Sequence, residues 1–284
     1  MSTTTMIENT VTVGGKQIFY AETGAGPAVV LLHGGGPGAS GVSNFARNID
    51  ALAENFRVIV PDLPGYGRSS KGVDGSDPFG YLANGIRGLC NELDIDTAHL
   101  VGNSYGGACA LRLALDTPER VAKMVLMGPG GIGTTRALPT AGLQSLFGYY
   151  GGDGPSREKL ETFIREYLVY EGNSVPAEVI DTRYESSIDP DVVANPPLRR
   201  PSGPFALRTL WRMDFTCDRR LAHLQTPTLV VWGSADKVNR PAGGQVLADT
   251  IPNCDLVLAA NTGHWVQWER AEFFNAITDA FLRS

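Results

Sequence analysis

The sequence has little cysteine: Cys90, Cys109, Cys217 and Cys254 are scattered through 284 residues with no CxxC pair and no Cys/His spacing of a zinc site. Neither a disulfide framework nor structural zinc organises the fold, and the four are expected to be reduced, mostly buried thiols. No apolar run approaches the roughly 20 residues that a membrane-spanning helix needs. The opening MSTTTMIENT also lacks the basic region and apolar stretch of a secretory leader. The expectation is a cytoplasmic, soluble protein with no membrane partner. Long runs of Lys and Arg are missing and the formal net charge is −6, so the clustered positive charge that displaces counterions from nucleic acid is absent. Only four histidines occur, which leaves few places for chemistry that needs an imidazole.

What is present is an ordinary globular composition, 43% hydrophobic and 19% charged, on a chain long enough for one large α/β unit with an insertion. TVTVGGKQIFYAETG reads as two strands around a Gly-Gly turn. AVVLLHG, FRVIVPD, AHLVGN, AKMVLMG, TPTLVVWG and CDLVLAA are short apolar runs bounded by Gly, Pro or Asp, the pattern of strands covered on both faces. Segments of helical spacing lie between them at 81–93, 105–116 and 241–250, and another closes the chain at 265–282. The order predicts a mostly parallel eight-stranded sheet with helices on both faces and an antiparallel hairpin at one edge. From about residue 131 to 213 the strand rhythm stops and helical patterns separated by Gly and Pro clusters take over. The expected division is a core over 1–137, a helical cap over 138–212 and the rest of the core over 213–284. The cap would cover the carboxyl edge of the sheet, where open α/β folds place ligands. The alternative is a peripheral insertion that never touches a site.

In AHLVGNSYGGACALRLAL, Gly102, Ser104 and Gly106 form G-x-S-x-G between a strand and a helix. That context forces a sharp turn in which small neighbours avoid clashes and the serine hydroxyl stands above the sheet at a helix N-terminus. A tightly packed glycine turn with no chemistry is the plainer reading. A serine needs a base to take its proton and a carboxylate to orient that base. His33 sits in the turn LLHGGGPG, His99 opens a strand and His223 lies in a charged stretch, whereas His264 follows the last strand at the same sheet edge as Ser104. The acid of an α/β-hydrolase falls between serine and histidine in chain order. Asp236 in VVWGSADKVNR meets that order. Asp62 in VIVPDLPGYG shares the edge but precedes the serine, and no carboxylate follows VLMGPGG. Two N–H donors are needed for the oxyanion formed when the serine attacks a carbonyl. The HGGGPG turn offers Gly35, and the residue after the nucleophile is Tyr105.

At this point HGGGPGASGVSNFARNI, DLPGYGRSS, VGNSYGG, VLMGPGGIG, WGSADKVN and GHWVQWE, taken in order over nearly the whole chain, resemble the meta-cleavage product hydrolases of bacterial aromatic and steroid ring degradation. The resemblance implies an α/β-hydrolase fold, no metal or organic cofactor, a homo-oligomer, and a small-molecule 2-hydroxy-6-oxohexa-2,4-dienoate as substrate. Such a dienoate would be cleaved at a carbon–carbon bond to 2-hydroxypenta-2,4-dienoate and a carboxylic acid, with His264 serving both a ketonisation and the later proton steps. Arg183 in VIDTRYESS matches the cap arginine that holds the substrate carboxylate and 2-oxygen. Gly36, Asn44, Asn103 and Trp265 match positions at the dienoate end. Tyr105 stands where such enzymes usually carry Met or Leu. Without the resemblance, Asn44 and Asn103 read as turn residues, Trp265 as core, and Arg183 as one solvated arginine among Arg165, Arg199, Arg200, Arg208 and Arg212. A carboxylesterase with the same triad is the nearest alternative, and a non-catalytic receptor of the same fold is a further one. Haloalkane dehalogenases and epoxide hydrolases use aspartate where Ser104 stands.

Overall fold

Gly14 and Gly15 both adopt positive φ, 55° and 79°, the conformation that closes a two-residue hairpin with the twist its strands need. They join β1 (Ile7–Val13) to β2 (Lys16–Thr23). The six apolar runs become β3 (Ala28–Leu32), β4 (Arg57–Pro61), β5 (Ala98–Asn103), β6 (Val121–Met127), β7 (Thr228–Gly233) and β8 (Cys254–Ala259). Together they form one sheet in the order β1-β2-β4-β3-β5-β6-β7-β8. The β1–β2 and β2–β4 pairs are antiparallel and all the others parallel. The computed structural model describes residues 6–133 and 137–284. Residues 1–5, the whole of MSTTT, and residues 134–136, next to the expected 137/138 boundary, thus lie outside the described residues.

Alternate side chains of each strand feed two apolar layers. Val30 and Leu32 enter one, while Val29 and Leu31 enter the other, as a period-two strand covered on both faces requires. The chain runs from β3 outward to β4 and then back across to β5, so the order reverses between β3 and β5. A crevice opens at the carboxyl ends of strands at such a switch, and the turns after β3 and β5 are the HGGGPG and GNSYGG segments.

The helices mark where pattern reading stopped short. Two five-residue helices, α1 (Gly41–Phe45) and α2 (Ile49–Ala53), were not foreseen, being too short for a helical period to emerge. α3 (Pro78–Glu92) starts three residues before the expected position because Asp77 caps it, accepting from the Gly80 N–H at 3.2 Å, and Pro78 occupies the first turn. α4 (Tyr105–Asp116) follows the serine.

Between β6 and β7 lie α5 (Ala141–Gly148), α6 (Arg157–Thr162) running on as a π-helical stretch over Phe163–Leu168, α7 (Ala177–Ser187), α8 (Pro190–Ala194) and α9 (Ala206–Arg212). Their apolar cluster includes Phe163, Ile164 and Ile180 but also Val238, Trp265 and Trp268 from loops at the sheet edge. The insertion therefore packs against side chains at that edge of the sheet. After α10 (Ala242–Thr250), the expected single closing helix is two, α11 (Val266–Glu269) and α12 (Ala271–Arg283), broken at Arg270, whose φ and ψ of −124° and 45° are not helical. Among the described residues no helix is long and apolar enough to cross a membrane.

Candidate active site

Ser104 has φ 53° and ψ −109°, a backbone state that costs a non-glycine residue roughly 1–3 kcal/mol and persists only where the surroundings enforce it. Its carbonyl accepts from Ala108 and Gly130, each at 2.9 Å, and its N–H donates to Met127 at 2.8 Å. Its neighbours have no room for a side chain. A Cβ on Gly102 would lie 2.6 Å from the Gly106 carbonyl, and one on Gly106 would be driven into the backbone of Leu32 and His33. Both glycines of the motif are therefore demanded by close backbone approach.

Asp236, after β7, is buried and fully employed. Its Oδ1 accepts from the N–H groups of Val238 at 2.8 Å and Asn239 at 2.9 Å, and its Oδ2 accepts from Trp232 Nε1 at 2.9 Å. His264 Nδ1 lies 2.7 Å from the same Oδ2. Since a carboxylate only accepts, Nδ1 carries the proton and Nε2 is the basic nitrogen. That Nε2 is buried without a hydrogen-bond partner, and His264 and Ser104 line one cavity. Gly128, at φ 46°, lies against the pair: a Cβ there would sit 3.0 Å from His264 Nδ1 and 3.1 Å from Asp236 Oδ2.

The competing candidates have other tasks. Asp62 accepts from the N–H groups of Gly41 and Arg68, each at 2.8 Å, and so clamps two turns. His33 donates from Nδ1 to the Gly34 carbonyl at 2.8 Å and accepts at Nε2 from the Leu63 N–H at 2.9 Å. This fixes a neutral imidazole, and burial draws its pKa below the ordinary range. His33 thus braces the glycine turn from behind. His99 packs edge-on to Phe56 and His223 is exposed.

The glycine turn runs beside the serine. Positions for a Cβ on Gly34 and Gly35 lie 3.6 Å from Ser104 Cβ and 3.1 Å from Tyr105 Cβ. Tyr66 Oη donates to the Gly35 carbonyl at 3.0 Å, orienting that peptide. Tyr105 is the first residue of α4, so its N–H has no acceptor within the helix. Its buried ring stands edge-on to Phe79, and its hydroxyl donates to the Pro197 carbonyl at a long 3.4 Å. Burial pushes the phenol pKa well above its usual range.

Two lobes meet at Ser104. The smaller, about 300 Å³, is the more polar of the two and is lined by Gly34, Gly36, Asn44, Arg183, His264 and Trp265, among others. Arg183, on α7, is only 3% exposed. Its Nε donates to the Pro37 carbonyl at 3.1 Å and its guanidinium lies 5.4 Å from the Trp265 ring centroid. A Cβ on Gly36 would meet Arg183 Nη2, and one on Gly38, at φ 63°, would meet the Arg183 carbonyl. Burial lowers its pKa to about 10, opposed only by Tyr150, Tyr66 and Tyr149, so it stays charged at neutral pH with no described carboxylate beside it. Asn44 Oδ1 accepts from Gln267 Nε2 at 2.7 Å. Asn103 lines the lobe, yet its Nδ2 is committed to the carbonyls of His264 at 3.3 Å and Met127 at 3.4 Å. Its direct work is to brace the histidine loop.

The larger lobe, about 710 Å³, is walled by apolar side chains such as Phe79, Leu143, Phe147, Leu198 and Met213, with Arg200 its one charged lining residue among those described. Sequence reading missed Trp232, Tyr66, Asn239 and Gly128. Trp232 stands four residues before Asp236, and a buried indole N–H in need of an acceptor was the available signal.

A family model described as the alpha/beta hydrolase fold matches residues 27–154 and 156–271. Over 270 residues, 94% of this chain and 91% of the relative, the sequence is 37% identical to a 2-hydroxy-6-oxo-6-phenylhexa-2,4-dienoate hydrolase of Comamonas testosteroni. It is 35% identical, over the same shares, to a 2-hydroxy-6-oxononadienedioate/2-hydroxy-6-oxononatrienedioate hydrolase of that organism. A solved meta-cleavage product hydrolase from Pseudomonas fluorescens superposes with a TM-score of 0.85 at 30% identity, covering 97% of each chain. A 2-hydroxy-6-oxo-6-phenylhexa-2,4-dienoate hydrolase from Rhodococcus does so with a TM-score of 0.84 at 29% identity, covering 99% of this chain and 100% of that one. On fold, motifs and these likenesses, the chain belongs to the meta-cleavage product hydrolase family of the α/β-hydrolase fold.

Proposed function

We propose that the protein adds water across the C5–C6 bond of a 2-hydroxy-6-oxohexa-2,4-dienoate, releasing 2-hydroxypenta-2,4-dienoate and the carboxylic acid that carries the C6 substituent. The observation that carries this reading is Arg183: a buried, charged guanidinium, with no carboxylate beside it among the described residues, in the cavity that Ser104 and His264 share. An unpaired buried charge costs several kcal/mol, a cost that an incoming carboxylate with matching fork geometry offsets. A neutral ester has no such charge to place there.

In this reading the dienoate carboxylate and 2-oxygen lie against Arg183, with Gly36, Asn44 and Trp265 around the chain and Asn103 holding the histidine backbone. His264 takes the 2-hydroxyl proton and delivers it to C5, so that C5 becomes an acceptable carbon leaving group. Ser104 then attacks the C6 carbonyl as His264 takes its proton, and the oxyanion faces the N–H groups of Gly35 and Tyr105. The C5–C6 electron pair leaves as the dienolate, whose 2-oxygen takes the proton from His264, and water, its proton passing through His264 to Ser104 Oγ, releases the acid from Ser104. Asp236 keeps His264 in the tautomer whose Nε2 is the base.

Residues 138–212 act as the cap, and the apolar lobe receives the C6 substituent. Its apolar wall suits an aryl or branched alkyl group. Family likeness supports a cytoplasmic homo-oligomer.

Arg183→Ala tests the reading. The loss in kcat/KM on a dienoate should be about 2 to 4 kcal/mol, the range for truncating one partner of a desolvated charge pair. A neutral aryl ester should be nearly unaffected. Equal losses on both would make Arg183 a support of the cap and remove the argument for an anionic substrate.

A further inference from the structure

Glu269, the last residue of α11, is a half-buried carboxylate that none of the steps above uses. Its Oε1 accepts from the Gly263 N–H at 2.9 Å and its Oε2 from the Tyr170 N–H at 2.7 Å. The next amide of that loop, His264 N–H, donates to the Leu168 carbonyl at 2.8 Å. The loop and the cap touch directly there. A Cβ on Gly263 would lie 2.8 Å from Tyr170 N and from the Val169 carbonyl carbon. Two successive N–H groups, those of Gly263 and His264, are thus held, one by Glu269 and the other by the cap, and Glu269 also holds the cap at Tyr170. Burial pushes the carboxyl pKa up to about 7 against the pull of these amides, so its position is maintained against a solvation cost.

We propose that Glu269 is a positioning residue that locks the His264 loop and the cap segment 168–170 into one register, so that cap placement and imidazole orientation are set together. The inference rests on the reading of His264 as the base that activates Ser104. Both oxygens are needed, because the two bonds come from different segments. A glutamine presents one acceptor and one NH₂, which faces an N–H and leaves it without an acceptor.

The test compares the parent with Glu269→Gln by two rates: inactivation of Ser104 by a fluorophosphonate, which needs the base but no dienoate, and steady-state turnover of a dienoate. Both the inactivation rate and kcat should fall by about 10- to 100-fold, the scale of a misplacement on the order of 1 Å. KM should stay within about threefold and the melting temperature within about 5 °C. Should Glu269→Gln fail to fold, Glu269→Asp, which keeps the charge but reaches one methylene less, is read the same way. A variant that reacts with the fluorophosphonate at the parent rate, or whose loss lies entirely in KM, overturns the proposal. If the parent reacts with fluorophosphonate and ignores dienoates, the substrate reading fails while the ratio of the two inactivation rates still decides the role of Glu269. If the parent does not react at all, the Ser104–His264 pairing falls and this proposal with it.

Discussion

The two lobes that meet at Ser104 are built in opposite ways. The polar lobe has backbone in its wall: Gly34, Gly35 and Gly36 line it, a Cβ on Gly36 would meet Arg183 Nη2, and Asn103 is tied to the carbonyls of His264 and Met127. The apolar lobe is walled by side-chain ends such as Phe147 and Leu143 on α5 and Leu198 on the segment between α8 and α9. A backbone wall cannot be altered by one substitution without moving the chain, whereas a side-chain wall can. Chemistry shared by a family belongs in the first kind of lobe and substrate preference in the second, which fits relatives named for phenyl and for dioate substrates on the same fold.

The largest expected effect is common to both lobes. Ser104→Ala should lower kcat at least ~1,000-fold on dienoates and esters alike, with melting unchanged, because oxyanion donors and binding alone do not replace a nucleophile. A variant within tenfold of the parent would remove the serine from the mechanism. Asp236→Asn comes next, on the order of 100-fold or more, since an amide accepts less well from Trp232 and holds His264 in the wrong tautomer. Asp62→Asn, measured alongside, should cost thermal stability and little kcat, and the reverse pattern would exchange the two acids. The Arg183→Ala loss on dienoates, about 30- to 1,000-fold, follows, confined to the polar lobe. The smallest effect belongs to the apolar lobe: Phe147→Ala should weaken kcat/KM for a 6-phenyl dienoate about tenfold while leaving a 6-methyl dienoate within about twofold. Equal losses for the two substituents would mean that the lobe does not receive C6.

How legible each part was follows the same division. The sheet could be read from strand runs because a buried parallel strand writes its burial on every residue, as AVVLLHG does. Ser104, His264 and Asp236 could be named because each stands just past a strand at one edge, so topology alone brings them together. Arg183 could be singled out only by resemblance. It is one of seven arginines in residues 138–212, and nothing local says that its guanidinium is the one turned inward against Trp265. Tyr66 and Glu269 are not legible because they bond backbone groups distant in sequence, those of Gly35 and Tyr170. α1 and α2 escaped because five residues are too few for a helical period, and the break at Arg270 escaped because apolar residues on both sides of it continue one stripe.

The central claim is that the protein cleaves a carbon–carbon bond in an anionic dienoate rather than an ester bond. The most direct measurement incubates the parent with 2-hydroxy-6-oxo-6-phenylhexa-2,4-dienoate and, separately, with a neutral phenyl ester, follows the dienoate absorbance, and quantifies products. The account predicts loss of the dienoate absorbance with one benzoate and one 2-hydroxypenta-2,4-dienoate formed per substrate consumed, at a kcat/KM well above that for the ester. Rapid hydrolysis of the ester with the dienoate left intact would contradict it.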